Sequence, residues 1–468
     1  MVSYTIMIIE VKTKEVLSEI LRRSGRGYSA DCAMYKGCGK CRVKLLSGIW
    51  ESRGEMLSPP CDAIPCITRL ATASGSVEIP DTPAQKPSVA SEWFSSAPLP
   101  SSSETLIALD VGTTTLAAIK LEGGKITGTA GSFNGQLPFG DNVIIRIAKA
   151  EKDFPRVRQA LLDSINELLE ELDLKGVKRI GVAGNTVMSC FLHNISPRSI
   201  GQYPFTAPQL TFQKRSDLLG DVPVVTVPPL TGLLGGDITS GLFESPLEEG
   251  ELLIDLGTNC EMVFRTTSGF FGTSAAAGPA FEGAGISCGS RAVTGAIDHY
   301  KSAGSFSVIG STTPQSLCGS ALVDFLAVER KKGTLSPFGK FVSGHKRMLI
   351  APGIAVTEED ISELLKAKAA VSAALKALEK VCGEKIRKIK LAGGFSRHLD
   401  LDSARQIGLL PDLPAEICGN LSLAGALRCA AEPQTIEKMA ELAKKIREIH
   451  LNDVPGFDEF FTSGLLLP

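Results

Sequence analysis

The cysteines near the start of the chain have a spacing that suggests metal chemistry. The chain has 12 cysteines, and five of them are clustered near its start: Cys32, Cys38, Cys41, Cys61 and Cys66. A [2Fe-2S] cluster needs four thiolates, and backbone amides close to the sulfur atoms stabilise its reduced state. Gly37 and Gly39 flank Cys38 and would let the backbone come close to the sulfur atoms. The pattern C-x5-C-x2-C followed by a distal cysteine therefore favours a [2Fe-2S] cluster.

The ligand set leaves alternatives open. A C-x2-C pair also occurs in zinc sites, which the glycine-containing loop and the lone distal cysteine fit poorly, and a site without metal is the other alternative. Cys61 and Cys66 compete for the fourth position, and we prefer Cys66 because it directly precedes the expected closing strand GSVEIP. The predicted ligands are Cys32, Cys38, Cys41 and Cys66. The seven later cysteines are interpreted as small hydrophobic residues in the core.

Three later segments could bind a nucleotide. LIALDVGTTT and LLIDLGTNC are each an apolar strand followed by Asp, one residue, Gly and Thr. An Asp at a strand end can hold Mg²⁺ through water while Gly-Thr amides and hydroxyls meet phosphates. In KIKLAGGFSRH a strand runs into two glycines and then a helix, which would allow the backbone to approach an adenosine closely. The predicted site contains Gly112, Thr113, Thr114, Thr115, Gly257, Thr258, Asn259, Gly393 and Gly394, with Asp110 and Asp255 as its catalytic residues.

The elements around these residues indicate two modules. Residues 1–80 contain short strands around one helix-like stretch, which predicts a small mixed sheet. Residues 81–103 carry four prolines and seven serines, a composition typical of a linker. Beyond it, apolar strands alternate with amphipathic helices, of which residues 357–381 are the clearest. Because the Asp-x-Gly-Thr pattern occurs twice, we expect a duplicated fold with lobes at 104–240 and 241–468.

Composition and charge exclude several classes of protein. With 468 residues, 43% of them hydrophobic, the chain can form two or three cores. Its net charge of -2 gives no basic footprint for nucleic acid. No apolar run is long enough to span a bilayer, and the first residues lack the features of a signal peptide. We therefore expect a cytoplasmic protein without a nucleic-acid or membrane partner.

The two modules together resemble one protein family. Two Asp-x-Gly-Thr hairpins followed by strand-Gly-Gly-helix resemble the acetate and sugar kinase, actin and heat-shock chaperone superfamily. With the cysteine module added, the chain resembles the reductive activators of corrinoid proteins, which are iron-sulfur ATPases. The matching stretches cover nearly the whole chain: CGKCRVKLLSG, ALDVGTTT, FGDNVIIRI, VAGNTVM, LLIDLGTNCE, SAAAGPAFEGAGISCG, LCGSALVD, LAGGFSRHLDLDSARQIGLLP and GNLSLAGA. The resemblance implies an α/β fold with duplicated actin-like (ribonuclease H-like) ATPase lobes and an N-terminal α+β ferredoxin-like (β-grasp) domain.

The resemblance also implies an activity, cofactors and partners. The expected activity is ATP-dependent transfer of one electron from a [2Fe-2S] cluster to Co(II), which regenerates Co(I) for methyl transfer in an anaerobic cytoplasm. The cofactors would be the cluster, ATP and Mg²⁺. The partners would be a corrinoid (cobalamin-binding) protein and a low-potential electron donor, and a homodimer is a further candidate assembly. The cluster and nucleotide residues would be those named above.

The chain departs from the family pattern at three places. GGFSRH stands where Gly-Ala-Phe-Gly is more usual, and LCGSAL replaces Ile-Cys-Gly-Ser-Gly-Leu, which affects the expectation for nucleotide specificity. The long middle domain of many relatives is expected to be absent, with the short linker in its place.

Three other function classes remain as alternatives. A small-molecule kinase of the same fold would need a base such as Asp141 or Asp237, but it has no use for a ferredoxin module. An activator of 2-hydroxyacyl-CoA dehydratases holds a [4Fe-4S] cluster between subunits and lacks this cysteine domain. A non-catalytic actin-like scaffold explains neither the cysteines nor the phosphate-binding pattern.

Overall fold

Two compact units make up the chain, at residues 1–86 and 87–468. The structure is a computed structural model, and it describes residues 6–24, 42–80, 95–140, 142–212 and 214–468. Three predicted cluster ligands and one candidate kinase base lie outside the described residues: Cys32, Cys38, Cys41 and Asp141.

The smaller unit contains two small sheets and a helix in its described part. The bounds are β1 Ile6–Val11, α1 Leu17–Arg23, β2 Val43–Ser47, β3 Trp50–Ser52, β4 Glu55–Leu57, β5 Cys61–Ala63, β6 Thr68–Leu70 and β7 Gly75–Pro80. One sheet has the order β1-β7-β2-β5, and the other has the order β4-β3-β6. Helix α1 buries Leu17 and Leu21 in a core with Leu45, Trp50 and Val77. The predicted sheet with one helix is confirmed, but every described strand pair is antiparallel where a mixed sheet was expected.

The end of the predicted linker packs against the larger unit. Ser95 forms an isolated β-bridge with Gly419, and the Ser96 amide donates a hydrogen bond to the Cys418 carbonyl at 3.0 Å. Ala97 is buried among the apolar side chains of the same region. These contacts attach residues 95–97 to the larger unit. This part of the predicted linker is therefore packed, although its composition is typical of a linker.

The larger unit alternates strands and helices as the sequence predicts. Its strands are β8 Thr105–Val111, β9 Thr115–Glu122, β10 Lys125–Phe133, β11 Val177–Gly184, β12 Val224–Thr226, β13 Glu251–Leu256, β14 Cys260–Thr266, β15 Gly269–Ala275, β16 Ala296–Ser302, β17 Ser305–Val308, β18 Ser316–Leu317, β19 Arg347–Ala351, β20 Ile354–Thr357, β21 Lys388–Ala392, β22 Ala415–Gly419 and β23 Ile446–Glu448. Its helices are α2 Val143–Leu172, α3 Thr186–Leu192, α4 Gly236–Glu244, α5 Gly319–Lys331, α6 Glu358–Cys382, α7 Leu401–Gln406, α8 Leu421–Ala431, α9 Thr435–Ala443 and α10 Phe457–Gly464.

Two sheets of this unit repeat one topology. The first sheet has the order β10-β9-β8-β11-β12, and the second has the order β15-β14-β13-β21-β22 with β23 added beside β15. In both sheets the first three strands are antiparallel neighbours and the last two run parallel to the central strand. This repetition confirms the predicted duplicated, actin-like fold.

Helix α8 follows the second sheet in the chain but packs against the first. It contacts β8 and β11, and the approach is so close that a Cβ on Gly181 of β11 would lie 1.8 Å from the Ala426 carbonyl oxygen. Glycine is required at such a contact because any side chain would displace the helix. The packing brings the start of α8 to the end of β8, where the first Asp-x-Gly-Thr segment begins.

Candidate nucleotide site and cluster ligands

All of the predicted nucleotide residues line one cavity of about 520 Å³ in the larger unit. The cavity lies between the β8–β9 turn, here called the first hairpin (residues 110–115), and the β13–β14 turn, the second hairpin (residues 255–260). The lining includes Asp110, Gly112, Thr113, Thr114, Thr115, Asp255, Gly257, Thr258, Asn259, Gly393 and Gly394. The structure therefore brings together three segments that are far apart in the sequence.

Hydrogen bonds hold the first hairpin in a fixed shape. The Gly112 amide donates to the Thr115 carbonyl at 3.1 Å, and a Cβ on Gly112 would lie 2.6 Å from that carbonyl oxygen. Asn134, directly after β10, donates from its backbone amide to the Thr114 carbonyl at 2.9 Å and from Nδ2 to the Gly112 carbonyl at 2.8 Å. Two hydrogen bonds from the residue directly after β10 thus hold the β8–β9 turn in place.

The second hairpin repeats this arrangement. The Gly257 amide donates to the Asn259 carbonyl at 3.1 Å, and the Gly278 amide, shortly after β15, donates to the Thr258 carbonyl at 3.0 Å. Gly278 therefore corresponds to Asn134 of the first sheet, because each donates its backbone amide to the carbonyl of a hairpin threonine. Both turns are thus held by backbone hydrogen bonds, and the threonines of both line the cavity.

The Gly-Gly segment closes the cavity from a third side. Gly393 has a φ of +90°, and a Cβ there would lie 2.6 Å from Asp255 Oδ1. Only glycine fits this left-handed position against the carboxylate. The sequence predicted a helix directly after this pair, but the structure has a short 3-10 turn at Ser396–His398 and then α7.

Carboxyl groups crowd the base of the cavity. Burial, opposed by the hydrogen bond from Asn420 and reinforced by the charge of Asp237, raises the pKa of Asp110 to about 7. Burial also raises the pKa of Asp237 to about 6. Burial, followed by the charges of Asp237 and Asp110, raises the pKa of Asp255 well above its usual range. The pKa of Glu261 is also raised far above its usual range, first by burial and then by the charges of Asp237 and Asp255.

This carboxyl group arrangement fits a bound cation. Burial first, and then repulsion between neighbouring carboxylates, disfavours the ionised forms of these groups, and a divalent cation would stabilise those forms. In the part of the chain that the structure describes, no three His, Cys, Asp or Glu side chains converge as direct ligands of one ion. Mg²⁺ usually keeps several of its waters and binds substrate phosphates. Asp110 and Asp255 thus suit Mg²⁺ held through water, as the sequence predicts.

Sequence reasoning missed three asparagines and one glutamate in the site. Asn420 donates from Nδ2 to Asp110 Oδ2 at 2.9 Å, and Asn185 donates from Nδ2 to Thr113 Oγ1 at 2.9 Å. Both residues also cap helices, because Asn185 accepts from the Met188 amide and Asn420 from the Leu423 amide. An asparagine between a strand and a helix was the signal that could have identified them. Asn134 and Glu282 gave no comparable signal.

Asp237 lines the cavity beside the catalytic candidates. Its Oδ1 accepts a hydrogen bond from the Ile238 amide at 2.8 Å, within the first turn of α4. Asp237 is the only one of the two candidate kinase bases whose position the described residues include. The other candidate base, Asp141, lies outside the described residues.

The structure describes two of the clustered cysteines. Cys61 begins β5, is paired with Leu45, and packs against the core of the smaller unit. Cys66 lies in the 3-10 turn Pro65–Ile67 and is half-buried. The premise that it directly precedes the closing strand is wrong, because the short strand β6 follows it and β7 comes later. Its position in a turn still favours it as a ligand over Cys61, which is paired within a sheet.

The later cysteines behave as packing residues in most cases. Five of them are buried: Cys190, Cys260, Cys318, Cys418 and Cys429. Burial raises the pKa of Cys190 and of Cys429 to about 12, so these thiols stay protonated. Cys288 and Cys382 are only half-buried.

Comparison with known families covers most of the chain. Residues 5–71 match the family described as a 2Fe-2S iron-sulfur cluster binding domain. Residues 106–250 match the RACo middle region, and residues 249–468 match the C-terminal domain of RACo, the ASKHA domain. The chain belongs to the RACo family.

The family assignment identifies the cofactors and corrects one expectation. A [2Fe-2S] cluster belongs to the smaller unit, and ATP with Mg²⁺ belongs to the ASKHA domain of the larger one. The RACo middle region matches residues that we assigned to the first ATPase lobe. The expected absence of a middle domain is therefore wrong.

Individual relatives agree with the RACo assignment. A solved structure titled reductive activator for corrinoid, iron-sulfur protein is 25% identical, with a TM-score of 0.72 over 98% of this chain and 96% of that one. The corrinoid activation enzyme RamQ of Eubacterium limosum is 29% identical over 377 residues, 68% of this chain and 63% of RamQ. A Methanosarcina barkeri protein named [Co(II) methylated amine-specific corrinoid protein] reductase is 27% identical over 407 residues, 74% of this chain and 73% of its own length. The chain thus spans less than two thirds of RamQ.

A membrane segment is not found among the helices that the structure describes, since none of them is both long and apolar enough to cross a bilayer.

Proposed function

We propose that this chain uses ATP to drive one-electron reduction of Co(II) to Co(I) in a corrinoid protein, with its [2Fe-2S] cluster as the immediate donor. The observation that carries the proposal is that one chain joins a cluster-binding domain to a cavity formed by two phosphate-binding hairpins. The names of the solved relative and of the two aligned proteins support a corrinoid partner. An ATPase without redox function would have no use for the cluster domain.

The role of ATP follows from the energetics of the electron transfer. Reduction of Co(II) to Co(I) needs a very low potential, and a [2Fe-2S] cluster is usually a milder donor. For one electron, each 59 mV of uphill potential costs about a factor of ten in equilibrium. A gap of roughly 180 mV would thus cost about 4 kcal/mol. Binding and hydrolysis of ATP can supply a free energy of this size.

Nucleotide binding between the hairpins gives a physical route for the coupling. Each hairpin belongs to a different sheet of the larger unit, so a nucleotide that contacts both would favour one arrangement of the sheets. If that arrangement binds the Co(II) partner more tightly, the free energy of binding shifts the electron-transfer equilibrium. The residues that hold the nucleotide in this scheme are the hairpin threonines and glycines, with Asp110 and Asp255 on the Mg²⁺ waters.

The setting of the reaction follows from its chemistry. A low-potential protein or small-molecule donor would re-reduce the cluster after each transfer. Such chemistry belongs in an anaerobic cytoplasm, where the core thiols also stay reduced. A homodimer is compatible with this scheme, in which each copy would carry its own cluster and cavity.

Cobalt reduction with and without ATP tests the proposal. The full chain with its cluster is reduced by dithionite, freed of excess reductant, and mixed with a Co(II) corrinoid protein. We expect the Co(I) absorbance to appear with ATP and Mg²⁺ and to stay near its starting level without nucleotide. Equal cobalt reduction in the two samples would leave the chain as a simple ferredoxin and contradict the proposal.

A further inference from the structure

Glu282 has an unusual environment at the edge of the nucleotide cavity. It ends the 3-10 turn Pro279–Glu282 that follows β15, and it lines the cavity. Its Oε1 accepts a hydrogen bond from Thr258 Oγ1 at 2.7 Å. Its Oε2 is closed to solvent and has no hydrogen-bond partner among the described residues. A carboxylate oxygen left in this state costs free energy, which suggests a use for it.

Glu282 is connected to both phosphate-binding hairpins. Thr258 belongs to the second hairpin, and its Oγ1 lies 2.9 Å from Oγ1 of Thr114 in the first hairpin. The contact is buried and joins residues 144 positions apart in the chain. The three side chains form a continuous series from the first hairpin to Glu282.

The direction of these hydrogen bonds follows from counting hydrogens. A threonine hydroxyl has one hydrogen to donate, and an ionised carboxylate only accepts. Thr258 donates its hydrogen to Glu282. The hydrogen between the two threonines must then come from Thr114. Thr114 Oγ1 is left with acceptor capacity in the cavity, where it can receive a hydrogen bond from water.

We propose that Glu282 takes up the proton released during ATP hydrolysis, acting through Thr258 and Thr114. The inference rests on the proposed ATPase function and adds a positioning residue to it. Water forms its bond to the γ-phosphorus, and the bond from phosphorus to the bridging oxygen breaks, with its electron pair leaving on ADP. The water gives a proton to Thr114 Oγ1, Thr114 gives its own proton to Thr258, and Thr258 gives its own to Glu282. Each hydroxyl gains one proton and loses one, and after the phosphate leaves, Glu282 returns the proton through the same two hydroxyls to water in the cavity.

Three carboxyl groups near the hairpins, those of Asp110, Asp237 and Asp255, are less suited to this task. Asp110 accepts a hydrogen bond from Asn420, and Asp237 accepts one from the Ile238 amide. We place Asp110 and Asp255 on the waters of Mg²⁺, whose charge makes a neighbouring carboxylate a poor proton acceptor. Glu282 is connected to the first hairpin through two hydroxyl groups, and one of its oxygens has no hydrogen-bond partner in the described structure.

Paired substitutions separate proton uptake from nucleotide binding. Glu282→Gln keeps the size and an acceptor oxygen but cannot take a proton. Thr258→Val removes the connecting hydroxyl, whereas Thr258→Ser retains it. Glu329→Gln is a matched control, since Glu329 is a buried carboxylate that accepts from the hydroxyls of Tyr300 and Thr334 but does not line the cavity.

The measurements are phosphate release at saturating ATP and nucleotide affinity by calorimetry, on the full chain with its cluster. We expect Glu282→Gln and Thr258→Val to slow hydrolysis about 100-fold or more, which is the usual contribution of proton transfer. The affinity of Glu282→Gln for the nucleotide should stay within about threefold, as expected when transition-state rather than ground-state stabilisation is lost. Thr258→Ser retains the hydroxyl and should hydrolyse ATP much faster than Thr258→Val. Glu329→Gln should hydrolyse ATP at close to the wild-type rate.

Several outcomes would overturn the inference. Hydrolysis by Glu282→Gln within about threefold of wild type would remove the need for a proton acceptor there. Equal rates for Thr258→Val and Thr258→Ser would exclude the hydroxyl connection, and this comparison holds even if Glu282→Gln fails to fold. A parallel loss of affinity would make Glu282 a binding residue instead. If wild type hydrolyses ATP but ATP does not aid cobalt reduction, the proposed function fails while the Glu282 comparison remains valid. No hydrolysis by wild type, with or without a corrinoid protein, would overturn both.

Discussion

At the scale of single residues, the amide of Asn420 controls the charge of Asp110. Burial raises the pKa of Asp110 to about 7, and the hydrogen bond from Asn420 opposes this rise. Near neutral pH, Asp110 is therefore divided between its ionised and protonated forms. Only the ionised form can hold the waters of Mg²⁺, so nucleotide affinity should increase as pH rises through this range.

Asn420→Ala tests this control of Asp110. Loss of the hydrogen bond should raise the pKa of Asp110 further and leave more of it protonated at pH 7. A hydrogen bond to a charged group contributes about 1.5 to 3 kcal/mol, which corresponds to an affinity for ATP and Mg²⁺ weaker by roughly tenfold or more. The loss should shrink at higher pH, where Asp110 ionises in the variant too. Calorimetric titration at pH 7 and pH 9 measures both effects.

Asn142→Ala is the control for this experiment. Asn142 also caps a helix, because its side chain accepts from the Ile145 amide at 3.0 Å, but it does not line the cavity. We expect it to leave nucleotide affinity unchanged. An Asn420→Ala defect of the same size at both pH values would mean that Asn420 acts by capping α8 rather than through Asp110.

The fourth cluster ligand is a second prediction at this scale. Cys66→Ser should lose the iron and the visible absorbance of the cluster, because Cys66 lies in a turn where a thiolate can reach a metal. Cys61→Ser should keep both, since Cys61 packs within the sheet. Iron analysis and absorption spectra of the two variants decide between them, and the opposite pattern would exchange their roles.

The glycines and aspartates of the site could be predicted from sequence, but the contacts that the asparagines make with them could not. Asp110, Gly112 and the threonines after them form a local pattern, and the ten residues of LIALDVGTTT are enough to predict a phosphate-binding turn. Asn420 meets Asp110 across 310 positions of the chain. No local pattern encodes such a contact, which depends on the packing of α8 against β8. Glu282 was missed for the same reason, since its partner Thr258 lies on a different turn.

At the scale of elements, the start of α6 supports the loop that follows Glu282. Thr357 and Asp360 form a capping box at the start of the helix. The carboxylate of Asp360 also accepts hydrogen bonds from the amide and the hydroxyl of Ser287, both at 2.5 Å. The cap of one helix therefore fixes a loop beside the cavity.

Asp360→Ala should destabilise the larger unit through both contacts. Loss of a helix cap costs about 1 kcal/mol. Loss of the two hydrogen bonds from the exposed Ser287 adds about 1 kcal/mol or more. We expect roughly 2 to 3 kcal/mol in the free energy of unfolding, measured by urea denaturation. Glu359→Ala is the control, because Glu359 is an exposed neighbour in the same turn. Equal effects of the two substitutions would show that Asp360 contributes only helix-end charge.

Elements with a regular pattern were predicted well, and those defined by long-range pairing were not. The predicted helix at 357–381 is observed at Glu358–Cys382, because its cap and apolar face are both encoded locally. The helix expected directly after Gly394 is only a 3-10 turn, since Asp400 caps a separate short helix beyond it. The short strands β16 and β18 were not identified, because their pairing depends on segments that the local pattern does not connect.

At the scale of the whole molecule, the chain combines a cluster domain with a duplicated nucleotide-binding fold. The repeated Asp-x-Gly-Thr pattern predicted the duplication, and the matching order of the two sheets confirms it. The coupling between the cluster and the nucleotide could not be predicted from residues, because it depends on a partner protein. The boundary of the two lobes at residue 240 stays a prediction.

The most direct test of ATP-driven electron transfer is cobalt reduction by Asp255→Asn. Asp255 ends the strand of the second hairpin, and without its charge the Mg²⁺ and phosphates are poorly held. Loss of such electrostatic stabilisation slows catalysis by about 100-fold to 1,000-fold. We predict that the variant, with its cluster still fully reducible by dithionite, loses ATP-dependent reduction of Co(II) in a corrinoid protein. Cobalt reduction by Asp255→Asn at the wild-type rate would contradict the account.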